Sequence, residues 1–505
     1  MVFFLNTEVL SQPNIVWEKS YGGSSLEALH SIKETQDSGY IVVGSSFSLD
    51  GDVASNYGGA DFWLLKLDKG GAAVWAKSMG GEATDIPHDI CCLSDGSFVI
   101  VGQTYSMGIN VQGNHGDSDI WVVKTDALGN LIWQKCLGGT KRDVGYGIKE
   151  TTDNGLIICG QSYSNDGNVT GHIGNSDVWL VKLNNHGDIE WDRCLGGENG
   201  DDIARQIQLT GDGGYIFFGE TNSSDGHVTG QHGNDDCWLV KVNSQGELDW
   251  QRALGGSYSD RGWDIHPAKN NGYFVIGYAG SPDGDVEGWH GNYDFWIIRI
   301  SESGNILWQR TLGGLKDDFG YTIFSTSDGG CIAGGTTIST DGDVVDNDGF
   351  FDFWAIKLDS VGNIMWQNTL GGFNLEFCSS VIETSDGSYL LAGDSYSSDG
   401  DVSANQGSSD FWIVKLSPET SATTTPSAIP LNLYPNPAQN WFRLNLPITE
   451  SDMHISIIDA QGRVVLAKTI RSDERLDISA LEPGGYGVTA VAKSGQVYAG
   501  KLVKE

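Results

Sequence analysis

GNYDFWIIRISESGNILWQRTLGG, residues 291 to 314, holds two short apolar runs, each carrying a tryptophan, joined by a Ser-Gly-Asn turn and closed by a double glycine. Such runs, bounded by turn residues, read as a β-hairpin. Close copies of this stretch recur along the chain. Tryptophans stand at 17, 75, 133, 191, 250, 308 and 366, and a second series at 63, 121, 179, 238, 296, 354 and 412. Both keep a step of 58 residues with a single 59. A fixed period of this kind marks a repeat protein of seven units.

Within the first unit, alternation and turns predict four strands, roughly Ala28 to Thr35, Tyr40 to Ser46, Phe62 to Leu67 and Ala73 to Ser78. Hairpin turns fall at Asp37-Ser38-Gly39 and at Asp68 to Gly71. Four antiparallel strands repeated seven times predict an all-β fold, a seven-bladed β-propeller, whose closure leaves no long sheet edge open. A further 58-residue step from Trp366 lands on Thr424, inside SPETSATTTPSAIP, so the seventh unit lacks its own fourth strand. The orphan segment Asn14 to Tyr21 is expected to supply it. An open solenoid would need capping units, and none is found.

The units resemble kelch-like blades in having a strand that ends in glycine (Tyr40 to Gly44), a loop, a strand such as DFWLLKLD and a tryptophan strand. The period is longer than kelch, and the double glycine follows the fourth strand. The repeat is more similar to propeller repeats of secreted Bacteroidetes proteins. That resemblance covers about residues 14 to 417 and implies the fold more firmly than the function.

The chain has 505 residues, 70 of them glycine, and a formal charge of −36 from 30 basic and 66 acidic side chains. Such a field repels phosphate and argues against nucleic acid and anionic membranes as partners. No run approaches the roughly 18 apolar residues that span a bilayer, so no transmembrane segment is expected. Residues 1–13 read as a degraded or truncated signal peptide, because a basic n-region is missing and Glu8 interrupts the apolar run; a plain tail is the alternative. Eight cysteines without a Cys-x-x-Cys pair read as small buried residues rather than a disulfide framework or a zinc cage.

Composition changes after a Ser/Thr/Pro linker at 418–430. Residues 431–505 carry eight basic and eight acidic side chains, leaving the whole net charge to the propeller, and form a second domain. Alternating segments joined by turns at Gln461-Gly462, Gly484-Gly485 and Ser494-Gly495 predict a small β-sandwich. Tyr434-Pro435-Asn436-Pro437, Asp459 to Arg463 with Gly462, and Leu481 to Tyr486 with Gly485 resemble the type A sorting domain of the type IX secretion system. The resemblance implies the secretion machinery as partner, passage across the outer membrane, and a secreted or outer-surface location.

Loops between strands two and three, and between blades, share one face of such a ring. They hold the acidic residue after Gly-Gly (Glu27, Asp85, Asp143, Asp202, Asp260, Asp318, Glu376), which predicts an acidic rim. Three oxygen ligands per blade suit calcium: Asp50, Asp52 and Asp61; Asp283, Asp285 and Asp294; Asp341, Asp343 and Asp352; Asp399, Asp401 and Asp410. Turn formation and acceptance of backbone N–H groups are the plainer roles for the same residues. The glycines at 58, 116, 174, 233, 291, 349 and 407 are expected at positive φ, and His115, His232 and His290 are expected to pack loops.

Positions that break the repeat point to function, because packing needs are common to all blades. His30, His88, Tyr146, Arg205, Trp263, Tyr321 and Ser379 occupy one place at the start of strand one and are expected to ring the channel mouth, where aromatic and hydrogen-bonding groups suit a sugar. Trp289 is a lone loop tryptophan able to stack on a pyranose. Inter-blade packing is the plainer role. No nucleophile elbow, zinc-protease or phosphate-loop motif occurs. The expectation is a monomeric, non-catalytic module binding a glycan or protein; the alternative is a polysaccharide-degrading, endoglucanase-like enzyme with an acidic pair in the pocket.

Overall fold

The computed structural model describes residues 12–345, 347, 349–419, 429–445, 453–458, 464–470, 474–492 and 497–505. The signal-peptide reading of the first residues, most of the linker, Gly462 and the Ser494-Gly495 turn fall outside that set. Among the described residues all regular structure is β, in two units, Gln12–Glu419 and a C-terminal one.

The first unit contains seven four-stranded antiparallel sheets. Blade one runs Glu27–Glu34, Tyr40–Ser46, Asp61–Leu67 and Ala73–Met79, within a residue of expectation at most ends. Inner strands of successive blades touch all the way round, and that of blade seven, Glu376–Glu383, touches that of blade one. The ring is closed. Second and third strands are buried along nearly their whole length, which is why they read as continuous apolar runs such as DFWLLKL, while the outer strand is exposed or half-buried until its last residue. The third-strand tryptophans are the largest fully buried side chains.

Blade seven takes its outer strand from the N-terminus. Ile15–Tyr21 pairs antiparallel with Asp410–Leu416. Glu18 accepts the Trp412 indole N–H at 2.9 Å, as Gln134, Gln251, Gln309 and Gln367 do from the outer strands of other blades. The strap thus reproduces both the register and the side-chain chemistry of a native fourth strand.

Between blades lies a repeated pair of carboxylates. Asp61 opens the third strand of blade one and Asp85 the inner strand of blade two. Gly80 sits between them, where a Cβ would come 2.1 Å from Asp61 Oδ1 and 2.7 Å from Asp85 Oδ2. Asp85 is fully buried and accepts the hydroxyls of Thr104 and Ser106 and the Gly81 N–H. Its counterparts Glu27, Asp143, Asp202, Asp260, Asp318 and Glu376 are equally buried, so they do not form an exposed acidic rim. The Gly-Gly turn folds them inward, because its own N–H groups need acceptors. The glycines at 58, 116 and 291 are not at positive φ. They are required by close approach: a Cβ on Gly58 would meet the Glu82 carbonyl at 2.3 Å and one on Gly291 the Gly314 carbonyl at 2.3 Å.

Burial pushes Asp61 up to about 7 and Asp119, Asp202, Asp294 and Asp410 up to about 6. Acids raised above their unfolded value contribute stability that is present below the unfolded pKa and lost as pH rises through the folded one. Burial lowers His30 and His266 to about 4, which works the other way below their ordinary range, but the raised carboxylates outnumber them. The melting temperature should therefore be higher at about pH 5 than at about pH 8, and fall again below about pH 4 as carboxylates such as Asp37 and Asp153, held down to about 2, are protonated. Scanning calorimetry across that range checks it; a melting temperature that rises from pH 5 to 8 would show the junction carboxylates to be ionised at no cost.

The C-terminal unit packs a five-stranded and a three-stranded sheet over one core that includes Leu433, Phe442, Ile455, Ile457, Val488 and Leu502, a small β-sandwich. Asn436 of the Tyr-Pro-Asn-Pro segment binds the last strand twice, donating to the Lys501 carbonyl at 2.6 Å and accepting the Val503 N–H at 2.8 Å. Tyr434 is exposed beneath Arg443, and the Tyr486 hydroxyl donates to the Glu482 carbonyl, fixing the Gly484-Gly485 turn into its strand.

Candidate functional site

Every inner strand carries a β-bulge at the same place, between Leu29 and Ser31 in blade one and between Gly262 and Asp264 in blade five. The bulge turns two successive residues toward the axis. The first of each pair is the position singled out in the sequence: His30, His88, Tyr146, Arg205, Trp263, Tyr321 and Ser379 all line one central cavity of about 520 Å³. The second set, which includes Asp89, Gln206, Asp264 and Thr322, lines it further along, with Lys33, Lys149 and His266 beyond. Sequence reading missed this second layer because strict alternation counts one residue per turn of the pleat, and only the bulge brings neighbours to the same side.

The first layer is a chain of ring contacts. His30 meets His88 edge-on at 5.4 Å, and His88 meets Tyr146 at 4.8 Å. The Arg205 guanidinium lies between Tyr146 and Trp263, 4.7 and 4.6 Å from their centroids, and donates to Glu220 Oε1 at 2.8 Å. Trp263 then meets Tyr321 at 4.9 Å. Burial keeps both imidazoles neutral, His30 at about 4 and His88 well below its ordinary value. Their Nε2 atoms and the Arg205 Nε are buried without a protein hydrogen-bond partner.

From Tyr321 the aromatic surface continues outward through Phe319, Phe351, Phe377 and Tyr396, with neighbouring centroids 5.8 to 6.4 Å apart. All four are partly exposed. The arc belongs to blades six and seven; the same places in other blades hold Ala28, Val144, Ser118 and Ser176. Comparing that position between units would have revealed it, since Phe319 and Phe377 break the repeat as clearly as His30 does.

The second layer stitches blades together. Asp89 accepts the Ser31 hydroxyl at 3.0 Å and the Ile148 N–H at 3.3 Å and pairs with Lys33 at 3.4 Å; Asp264 accepts the Ile323 N–H at 2.9 Å. Burial raises Asp264, whereas the Lys33 ammonium and Lys149 outweigh burial at Asp89 and hold it below the usual range.

The calcium triads are not assembled. Asp50 accepts the Ser24 N–H and Asp52 the Gly22 N–H at the junction with blade seven, while Asp61 accepts the Tyr57 N–H at the junction with blade two. One blade therefore separates them. Asp283, Asp285 and Asp294, Asp341 and Asp343, and Asp399, Asp401 and Asp410 repeat the pattern, each accepting a backbone N–H. Asp352 has the same place in its blade. His115, His232 and His290 each lie against the aspartate four residues on, at 2.5, 2.9 and 3.3 Å. Trp289 is not among the cavity residues; it packs half-buried on the core that blades four and five share and donates its indole N–H to the Asn292 carbonyl. All eight cysteines are free, and six are buried.

Comparison with solved structures gives low similarity throughout. The extracellular domain of a hybrid two-component system from B. thetaiotaomicron aligns at 12% identity and a TM-score of 0.43, over 98% of this chain and 60% of that one. The Neurospora crassa Pan2 WD40 domain aligns at 9% and 0.37, over 78% and 89%. The GH93 alpha-L-arabinofuranosidase of Fusarium graminearum aligns at 11% and 0.39, over 65% and 91%. Such likenesses say nothing of what this chain binds. Curated proteins gave no match. Among the described residues no helix is long and apolar enough to cross a membrane. Residues 432–505 match the family model of the secretion system C-terminal sorting domain, so the chain ends in a type IX sorting tail and belongs outside the cell or on its outer surface.

Proposed function

We propose that the exported propeller is a non-catalytic binding module whose central cavity takes the end of a neutral glycan. The carrying observation is the cavity wall itself: two neutral imidazoles with unpartnered Nε2 atoms in blades one and two, and an arc of partly exposed aromatic rings leading away through blades six and seven. Hydroxyl groups satisfy buried nitrogen atoms, and apolar sugar faces stack on rings. A net charge of −36 disfavours an anionic ligand. Export by the sorting tail puts such a module where polysaccharides are met.

The enzyme reading keeps one observation in its favour. Asp89 and Asp264 line the same cavity and are driven in opposite directions by their surroundings, the arrangement acid–base pairs use. Their oxygens, however, are already accepting backbone N–H groups, which supports a structural role.

A polysaccharide panel followed for retention and for new reducing ends separates the two. Retention without cleavage is expected, weakened at least about tenfold by Phe377→Ala, a partly exposed arc residue, and by His30→Ala. New reducing ends abolished by Asp264→Asn with retention intact would establish the enzyme instead. No retention of any glycan would leave a protein ligand as the module's target.

A further inference from the structure

In blade three a second kind of site is built from three residue types that meet nowhere else among the described residues. A ring nitrogen of His172, a carboxylate oxygen of Asp177 and the Cys194 sulfur all lie within 4.8 Å of one another. His172 belongs to the loop before the third strand, Asp177 opens that strand, and Cys194 stands on the outer strand Ile189–Leu195. The side chains of His172 and Asp177 are 8% and 0% exposed, and Cys194 is 7% exposed. His172 Nδ1, in a side chain 8% exposed, lies 2.9 Å from Asp177 Oδ2 without hydrogen-bond geometry and has no hydrogen-bond partner; Asp177 Oδ1 is unpartnered too, as it is at Asp61, Asp119, Asp236, Asp294 and Asp410 of other blades. A buried ring nitrogen thus lies beside a buried carboxylate oxygen with no hydrogen bond joining them, and a cation can be held between the two.

The geometry points to a transition-metal site in blade three, taking a zinc-like divalent cation on His172, Asp177 and Cys194. Nitrogen, oxygen and sulfur together suit zinc better than calcium, which prefers oxygen alone. Ligand atoms of a tetrahedral zinc stand roughly 3.3 to 3.8 Å apart, as follows from metal–ligand distances of about 2.0 to 2.3 Å, so the cluster needs only small adjustments. Three protein ligands leave a fourth position for water or a partner group. On binding, the thiol gives its proton to solvent and sulfur becomes the ligand.

Repeat comparison separates this site from ordinary packing. Where blade three has His172, four blades have Asn56, Asn114, Asn347 and Asn405, which donate to carbonyls at the end of strand two. Blade two is a natural control: it has Cys136 at the place of Cys194 and a histidine, His115, displaced by one residue, and its three groups do not converge. Blades four and five have Gln231 and Trp289 here, which like the asparagines donate to backbone carbonyls, so blade three alone sets a histidine at this place and pairs it with a cysteine on the outer strand.

Cobalt(II) titration of the metal-free full chain tests this. One equivalent is expected to bind with a thiolate-to-cobalt charge-transfer band and the visible bands of tetrahedral cobalt. The charge-transfer band should vanish in Cys194→Ser and both features in His172→Asn, which installs the residue four other blades use and so keeps the loop. Cys136→Ser should change neither. One equivalent of zinc should raise the melting temperature of the wild type and not that of His172→Asn. Absence of the charge-transfer band, or its persistence in either blade-three variant, would overturn the site.

Discussion

A chain shortened to begin at Gly22 is expected to melt far below the full protein and to associate in solution. Ile15–Tyr21 is the fourth strand of blade seven, so its loss opens the ring at the seam where the first and last blades meet. Tyr21 is 5% exposed and Trp17 packs on the same core, while the Gly71 turn of blade one rests on the Trp17 ring. Removing a buried aromatic side chain alone costs about 3–5 kcal/mol, a large fraction of the roughly 5–15 kcal/mol that holds a domain folded. The deletion would also bare the strand DFWIVKL, buried along its whole length, as an open edge. Such edges pair with other chains. Calorimetry and light scattering on the shortened chain, with and without a peptide of residues 12–21, give the readout. Recovery of the melting temperature by the peptide is expected, and an unchanged melting temperature without it would show that the seam is not needed.

Arg205→Met should be nearly as damaging, for a different reason. Arg205, its side chain 16% exposed, is wedged between Tyr146 and Trp263 and pairs with Glu220, itself 5% exposed. Burial opposes its charge, and Glu220 restores it, leaving the guanidinium above its ordinary value. Removing one partner of a buried pair leaves the other charge uncompensated, which costs about 3–5 kcal/mol. Arg261, 3.8 Å from Glu220, offsets only part of this. Adding Glu220→Gln to Arg205→Met should recover much of the loss, because the double variant has no stranded charge. Denaturant midpoints of the two single variants and the double form the cycle. Strict additivity would mean that the pair is not coupled and that Arg205 acts through its ring contacts alone.

Seven units, four strands in each and the strap at Asn14 to Tyr21 were all legible, since burial on both faces writes itself as apolar runs and a repeat writes itself as a period. The ring of His30, His88 and Trp263 was legible too, because it breaks that period at one place. Asp89 and Asp264 were not, as a bulge leaves no mark in an apolar pattern. Glu27 and Asp85 looked like rim residues because acidic side chains in loops are ordinarily solvated. Only the fold shows that Thr104, Ser106 and the Gly81 N–H solvate Asp85 instead.

Sequence alone determined the class, the blade count, the closure and the sorting tail, all of which follow from local pattern repeated in order. Tertiary structure decided which carboxylates are buried, that Asp52 and Asp61 serve opposite junctions, that Trp289 packs on the core shared by blades four and five, and that His172, Asp177 and Cys194 meet. Those facts depend on which side of a strand or loop faces which neighbour. That is set by bulges and by contacts between blades some 58 residues apart, and neither leaves a trace in the spacing of residues along one blade.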